Sequence, residues 1–262
     1  DSALSFDGKD DSVKTPIVYD GSTPLTVEAI VEIPDWSANQ NSEIVDSSDD
    51  GGLSLSTSHL GFYFSAKMGR RFQPLYCPTE EKYLRRPVSL AGVRDGNTLR
   101  LFVDGKLIAE ETFSDAFVPS KSPFSIGANL GEYGRTDAGI RNWRGKLFAI
   151  RVSNIARYTK DFTPEKRFQA DEHTIALYHF DEGEGNVLRD SSGNEHHGEI
   201  HGATWVKSDG SPIKSISEDP DRRLAEWVLA KGGKLFLKYE EHVDWTAIQH
   251  LEEIEACCAT AI

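Results

Sequence analysis

Cysteine is nearly absent. Cys77, Cys257 and Cys258 are the whole complement among 262 residues, and an odd number with one adjacent pair is no disulfide framework. Adjacent cysteines strain disulfide geometry, and no Cys-x-x-Cys spacing offers a thiolate metal site, so all three read as free or buried thiols. Long apolar runs are missing too, and with them any membrane span. No secretory leader opens the sequence, an absence that a mature or excised secreted fragment would share. Cations are the minority: 29 Lys and Arg stand against 42 Asp and Glu, a formal charge of -13. Such a surface repels phosphate backbones, which excludes bulk nucleic-acid binding. There is no Gly-rich phosphate loop and no nucleophile elbow. Helical periodicity longer than two turns is missing from residues 2–153.

Short strands and turns fill that span instead. Ala3-Leu4-Ser5-Phe6-Asp7-Gly8-Lys9-Asp10-Asp11-Ser12-Val13 alternates, breaks at Asp-Gly and resumes, which is a strand, a tight turn and a second strand. Thr26-Val27-Glu28-Ala29-Ile30-Val31-Glu32 is a period-two strand, with Val27, Ala29 and Val31 on one face. Further strands are expected at residues 43–46, 52–57, 61–67, 88–94, 98–103, 106–112 and 123–127. Asp95-Gly96-Asn97 and Asp104-Gly105 supply the positive backbone angles that hairpins need. The pattern predicts an all-β, two-sheet antiparallel sandwich. Residues 154–171 are expected to wrap it, anchored by Tyr158, Phe162 and Phe168.

The phrase at residues 3–13 resembles the opening of laminin-G-like domains of the concanavalin A-like jelly-roll class. Leu101-Phe102-Val103-Asp104-Gly105-Lys106-Leu107 resembles the central hairpin of that family, and Trp143 to Ser153 its closing strand. Residues 174–200, with Phe180-Asp181-Glu182-Gly183-Glu184-Gly185 and Asp190-Ser191-Ser192-Gly193-Asn194, resemble another family hairpin. In many relatives that hairpin comes before the opening phrase, whereas here it comes after. A lone hairpin is marginal, so residues 174–206 are expected to complete a sandwich spanning residues 1–206.

Residues 207–220 read as a linker, and residues 221–262 as a small α/β segment. A short helix is expected at 221–233, a strand at 234–238 and a helical stripe at 246–257. This segment resembles the N-terminal cap of a leucine-rich-repeat array, although no complete repeat follows.

The resemblance implies a recognition module from a larger secreted or surface-exposed protein, in an extracellular or cell-envelope setting. Its expected partners are a glycan or protein ligand and the other domains of the parent. A structural spacer is the alternative. Sugar sites combine aromatic faces with planar polar groups, and the candidates are Trp36, Tyr63, Tyr133, Arg135 and Trp143. Two basic stretches, Arg70 to Arg86 and Arg135 to Lys146, read as solvated loop charge or as a small cationic patch for an acidic glycan. The class also implies one structural calcium ion. Asp190 and Asn194 offer oxygens around Gly193, and Asp7 is the family-matched ligand from the other end. The glucanases of this fold class carry a Glu-x-Asp-x-x-Glu strand. This sequence has none, so a polysaccharide hydrolase is disfavoured and no enzyme activity is expected. His196, His197 and His201 read as exposed or turn-stabilising residues.

Overall fold

Side-chain alternation along each strand decides which residues meet in the interior. The computed structural model describes residues 2–37, 41–130 and 141–213, with the backbone alone of 235–239 and 244–248. In chain order the strands begin with β1 (Ser2–Asp7), β2 (Ser12–Lys14), β3 (Leu25–Glu32), β4 (Ser42–Asp46), β5 (Leu53–Ser58), β6 (Gly61–Met68) and β7 (Arg71–Pro78). After a 3-10 turn at Glu81–Tyr83 come β8 (Val88–Asp95), β9 (Thr98–Val103), β10 (Lys106–Thr112), β11 (Ser125–Ile126) and β12 (Arg144–Ser153). β13 (Thr174–Tyr178), β14 (Val187–Leu188), β15 (Gly198–His201) and β16 (Thr204–Lys207) follow. No helix among the described residues is long and apolar enough to cross a membrane.

Two antiparallel sheets form a jelly-roll sandwich. The first runs β10-β9-β8-β3-β12-β1-β16, with β13 also paired to β12, and the second runs β14-β15-β2-β11-β4-β5-β6-β7. The late strands therefore join both sheets: β13 and β16 extend the first, while β15 pairs with β2 in the second.

The registers align one apolar row across the second sheet: Ile200, Val13, Ile126, Val45, Leu55, Phe64 and Leu75. All are buried. Facing them from the first sheet are Leu4, Val27, Ala29, Leu90, Leu101, Ile150 and Val152, also buried. Each buried Val, Leu, Ile or Phe among them contributes roughly 1.5–3 kcal/mol. Phe64 of the second sheet packs directly over Gly92 of the first. A Cβ on Gly92 would lie 2.2 Å from that ring, so only glycine fits there.

The outer side of the first sheet is covered by residues 154–171. Tyr158 and Phe162 stack at 3.5 Å, and both meet Phe102 edge-on. Phe168 packs with Ala149 and Leu177. Glu28, on β3, is thereby buried, and Arg151 forks onto it from β12.

The chain divides into two units, Asp1–Pro212 and Ile213–Ile262. In the second, β17 (Leu235–Tyr239) pairs with β18 (Asp244–Ile248). Residues 246–248, expected at the start of a helical stripe, are therefore strand, because cross-strand bonds to β17 satisfy their backbone groups. The helix expected at 221–233 and the remainder of the stripe lie outside the described residues, as do Cys257 and Cys258. Cys77 is a buried free thiol, and burial raises its pKa.

Candidate functional site

The outer face of the second sheet carries the chemistry. Rows of outward residues lie beside the apolar row. One row is Glu199, Lys14, Ser125, Asp46, Ser54, Ser65 and Pro74, and another is Glu43, Ser56, Tyr63 and Tyr76.

Glu43 and Asp46 share this face because of a β-bulge. Positions three apart on a regular strand point to opposite sides. On β4 the pairing shifts between Glu43 and Val45, so Ile44 is an extra residue and Asp46 swings round beside Glu43. Both carboxylates are buried, at 2% and 3% exposure. Ser56 Oγ donates to Glu43 Oε2 and Ser48 Oγ to Asp46 Oδ1. Arg141 stands 3.8 Å from Glu43. Burial is the main force raising both pKa values. For Glu43 the neighbouring charge of Asp46 adds to it, while for Asp46 the Ser48 donors pull the other way. The pair thus holds protons that ordinary carboxylates release.

At its edge this face is aromatic. Tyr63 and Tyr76 lie 5.7 Å apart with rings tilted 43°. Tyr76 is 44% exposed and Phe72, on the same side of β7, is 38% exposed. Burial raises the Tyr63 pKa, and Glu43 adds to the effect, so the phenol keeps its proton. Stacking surface, hydroxyls and carboxylates are therefore contiguous.

Of the expected sugar-contacting residues, Tyr63 lies on this face. Trp36 packs edge-on against inward-facing Phe62 at 5.0 Å, and its indole donates to the Glu80 carbonyl. It belongs to the other side of the sheet. Trp143 is a correction: it is fully buried and meets Phe6 edge-on at 5.7 Å, so it has no face to offer a ligand. Tyr133 and Arg135 lie outside the described residues. Glu43, Asp46 and Tyr76 were missed. The bulge leaves no sequence signature, and Tyr76 sits in a strand that its prolines disguised.

The expected metal ligands separate. Asp190 Oδ1 accepts from the Leu177 and Ser192 amides, and Oδ2 accepts from Ser192 Oγ and the His196 amide. Burial opposes ionisation of Asp190, but these donors outweigh it and lower the pKa. Asn194 Nδ2 donates to the carbonyls of Thr174 and Ile175. Both residues fasten a turn. His197 Nδ1 accepts from the Asp190 amide, so it too serves that turn. Asp7 lies opposite Arg144 on β12, whereas Leu177 lies opposite Arg151, a separation of roughly 20 Å at strand rise. Asp7 and Asp190 therefore do not converge on one ion.

Asp7 has other company. The carboxylates of Asp7, Asp10 and Asp11 lie within 4.8 Å of one another and can hold a metal ion. Asp11 is buried and accepts from the Asp7 amide at 2.6 Å. Burial and the neighbouring acids raise its pKa against the pull of that amide. Asn142 Nδ2 donates to the Lys9 carbonyl of the same turn, and the buried Asn142 Oδ1 has no partner among the described residues. This all-oxygen donor set suits a hard cation.

A family profile described as the concanavalin A-like lectin/glucanases superfamily, Laminin_G_3, matches residues 7–161. No curated protein matches in sequence. Among solved structures, a Bacteroides ovatus protein proposed to bind carbohydrate is 21% identical, with a TM-score of 0.58 over 82% of this chain. The chain spans 62% of that protein's length. A heptameric SAP-like pentraxin from Limulus polyphemus is 14% identical, at TM-score 0.45, over 60% of this chain and 78% of its own. Domains LG4-5 of the mouse laminin alpha1 chain are 15% identical, at TM-score 0.45, over 63% of this chain and 48% of theirs.

Proposed function

The chain belongs to the concanavalin A-like lectin/glucanase superfamily, and from that premise we propose that its sandwich is a non-catalytic recognition module that binds carbohydrate on the outer face of the second sheet. One observation carries the reading: at the edge of that face Tyr76 and Phe72 are 44% and 38% exposed, and Tyr76 pairs with Tyr63, so an aromatic surface stands open beside the buried serines and carboxylates that fix it. A pyranose has a C–H face that packs on aromatic rings and a rim of hydroxyls that seeks polar partners. A few fixed polar groups beside apolar surface are the usual composition of a small-ligand site. Calcium is the ion proposed for the Asp7–Asp10–Asp11 turn, since every donor there is oxygen. An extracellular or cell-envelope setting, where calcium is plentiful, agrees with both proposals.

The test is a glycan array followed by calorimetry with Tyr76→Ala. The expected result is selective glycan binding that weakens about tenfold in the variant, a loss of about 1.4 kcal/mol, with the melting temperature unchanged. A parent protein that binds no glycan, or a variant that binds as the parent does, would overturn the reading.

A polysaccharide hydrolase is the second reading, favoured by the bulge that sets two carboxylates on one face, as paired acid–base chemistry requires. Against it, Glu43 and Asp46 are almost wholly buried and each already accepts from a serine hydroxyl. Release of reducing sugar from β-glucans, xylans or galactans that disappears in Glu43→Gln would reinstate it.

A further inference from the structure

A cavity of about 240 Å3 opens at the β6–β7 hairpin, lined by Met68, Gly69, Arg70, Arg71, Gln73 and Asp115. Met68 is buried and gives it an apolar floor. Its walls are fixed by backbone bonds. The Gly69 amide donates to the Ala116 carbonyl at 2.8 Å, and the Val118 amide to the Lys67 carbonyl at 2.8 Å. Gly69 turns the hairpin at φ 61, and a Cβ there would lie 2.8 Å from the Asp115 carboxylate. The carboxylate is thus pressed over the turn and lines the same cavity as the two arginines that follow.

Among the described residues, no hydrogen bond or ion pair engages the side chains of Arg70, Arg71, Gln73 or Asp115. Four other arginines of this acidic chain are committed: Arg94 to Tyr19, Arg100 to Glu110, Arg151 to Glu28 and Arg157 to Asp171. Two guanidiniums lining one cavity offer a site for an anion, and their planar forks match a carboxylate. One wall is itself anionic, so a ligand with charge on all sides is repelled by Asp115. What fits is a small molecule anionic at one end and rich in hydroxyls at the other. The volume is below the ~300 Å3 typical of drug-sized sites, which suits one sugar ring.

We propose that this cavity is a subsite for a uronic acid residue of an acidic polysaccharide. Arg70 and Arg71 clamp its carboxylate, and Asp115 and Gln73 take its ring hydroxyls. The proposal rests on the reading of the sandwich as a carbohydrate-binding module but uses a different surface from the Tyr63–Tyr76 face.

Calorimetry tests it with short oligomers of galacturonate, glucuronate and mannuronate, their carboxyl-reduced counterparts, and a heparin-derived oligosaccharide. At least one uronate should bind about tenfold or more tighter than its reduced form. R70A/R71A should erase that preference at an unchanged melting temperature, and D115N should bring the heparin fragment closer to the uronate in affinity. Equal binding of every acid and its reduced form would overturn the proposal, as would an R70A/R71A protein that keeps the preference. A D115N protein that still rejects the sulfated fragment would overturn the role given to Asp115, and a parent protein that binds that fragment as tightly as a uronate would overturn the choice of uronate. If neutral sugars bind through Tyr76 and uronates show no preference, only this proposal falls. If no glycan binds at all, it falls together with the recognition reading.

Discussion

Arg151 lies flat against Glu28, 123 residues away in sequence, with Nε to Oε2 at 2.6 Å and Nη2 to Oε1 at 3.0 Å, both side chains 2% exposed. Tyr158 donates to the same carboxylate at 2.8 Å, Glu165 pairs with the guanidinium at 2.9 Å, and Phe168 packs across it. The pair ties two neighbouring strands of the first sheet to the segment that wraps them. Burial alone would lower the Arg151 pKa, but Glu28 and Glu165 outweigh it and raise it.

Removing one partner leaves the other charged and buried. Arg151→Ala should cost about 3–5 kcal/mol in denaturant unfolding. Glu28→Leu with Arg151→Met should recover much of that loss, because an apolar replacement of both charges is often neutral. A single variant as stable as the parent would contradict the coupling.

The buried acid pair makes stability depend on pH in an unusual direction. Folding raises the Glu43 pKa from 4.5 to about 8 and the Asp46 pKa from 3.8 to about 6. Between those limits the folded chain holds protons that the unfolded chain has released, so stability falls as pH rises from about 5 to about 8. Below about 4 the lowered pKa values of Asp171 and Asp190 act oppositely, and protonating them removes stability. Glu43→Gln should flatten the upper slope and raise the melting temperature at pH 8 relative to the parent. A melting temperature independent of pH over that window would refute it.

If calcium occupies the first turn, its addition after chelation should raise the melting temperature, because a ligand bound only by the native state stabilises it. Asp11→Asn should abolish the rise. Asp190→Ala should leave the rise intact while lowering stability by about 1–3 kcal/mol in either buffer, through the buried donors it strands. A rise that vanished with Asp190→Ala and persisted with Asp11→Asn would reverse the assignment.

Ending the chain at Asp171 would strip β13 to β16 from both sheets. Leu4 would lose Trp205, its partner on β16, and Ile150 would lose Tyr178. The truncated protein should be insoluble or lack a cooperative melting transition by circular dichroism, whereas ending it at Pro212 should preserve that transition.

The inner faces were legible in the sequence because burial enforces alternation, as Val27, Ala29 and Val31 show. So were most hairpins, since their turns demand Gly or Asp. The strand Arg71–Pro78 was not, for Pro74 and Pro78 argue against pairing. Its place at the edge of the sheet resolves this, since an edge strand tolerates residues that cannot donate. The site was harder to read. A one-residue bulge decides whether Glu43 and Asp46 meet, and nothing in Ile44 announces it. Trp143 misled because an aromatic residue near a loop looks the same in sequence whether it faces a ligand or fills a core.

The placing of Ser2 opposite Lys207 has a mechanical consequence. Chain enters the sandwich along β1 and leaves along β16 at the same end of the first sheet, with Val206 and Pro212 bridged just beyond. Tension applied between the two ends would first open that bridge. It would then load the hydrogen bonds of Ser2 to Ser5 in succession rather than together. Such a unit peels from its edge under modest force, β16 first, while the interior strands stay paired. A sandwich entered and left at opposite ends would instead resist in shear.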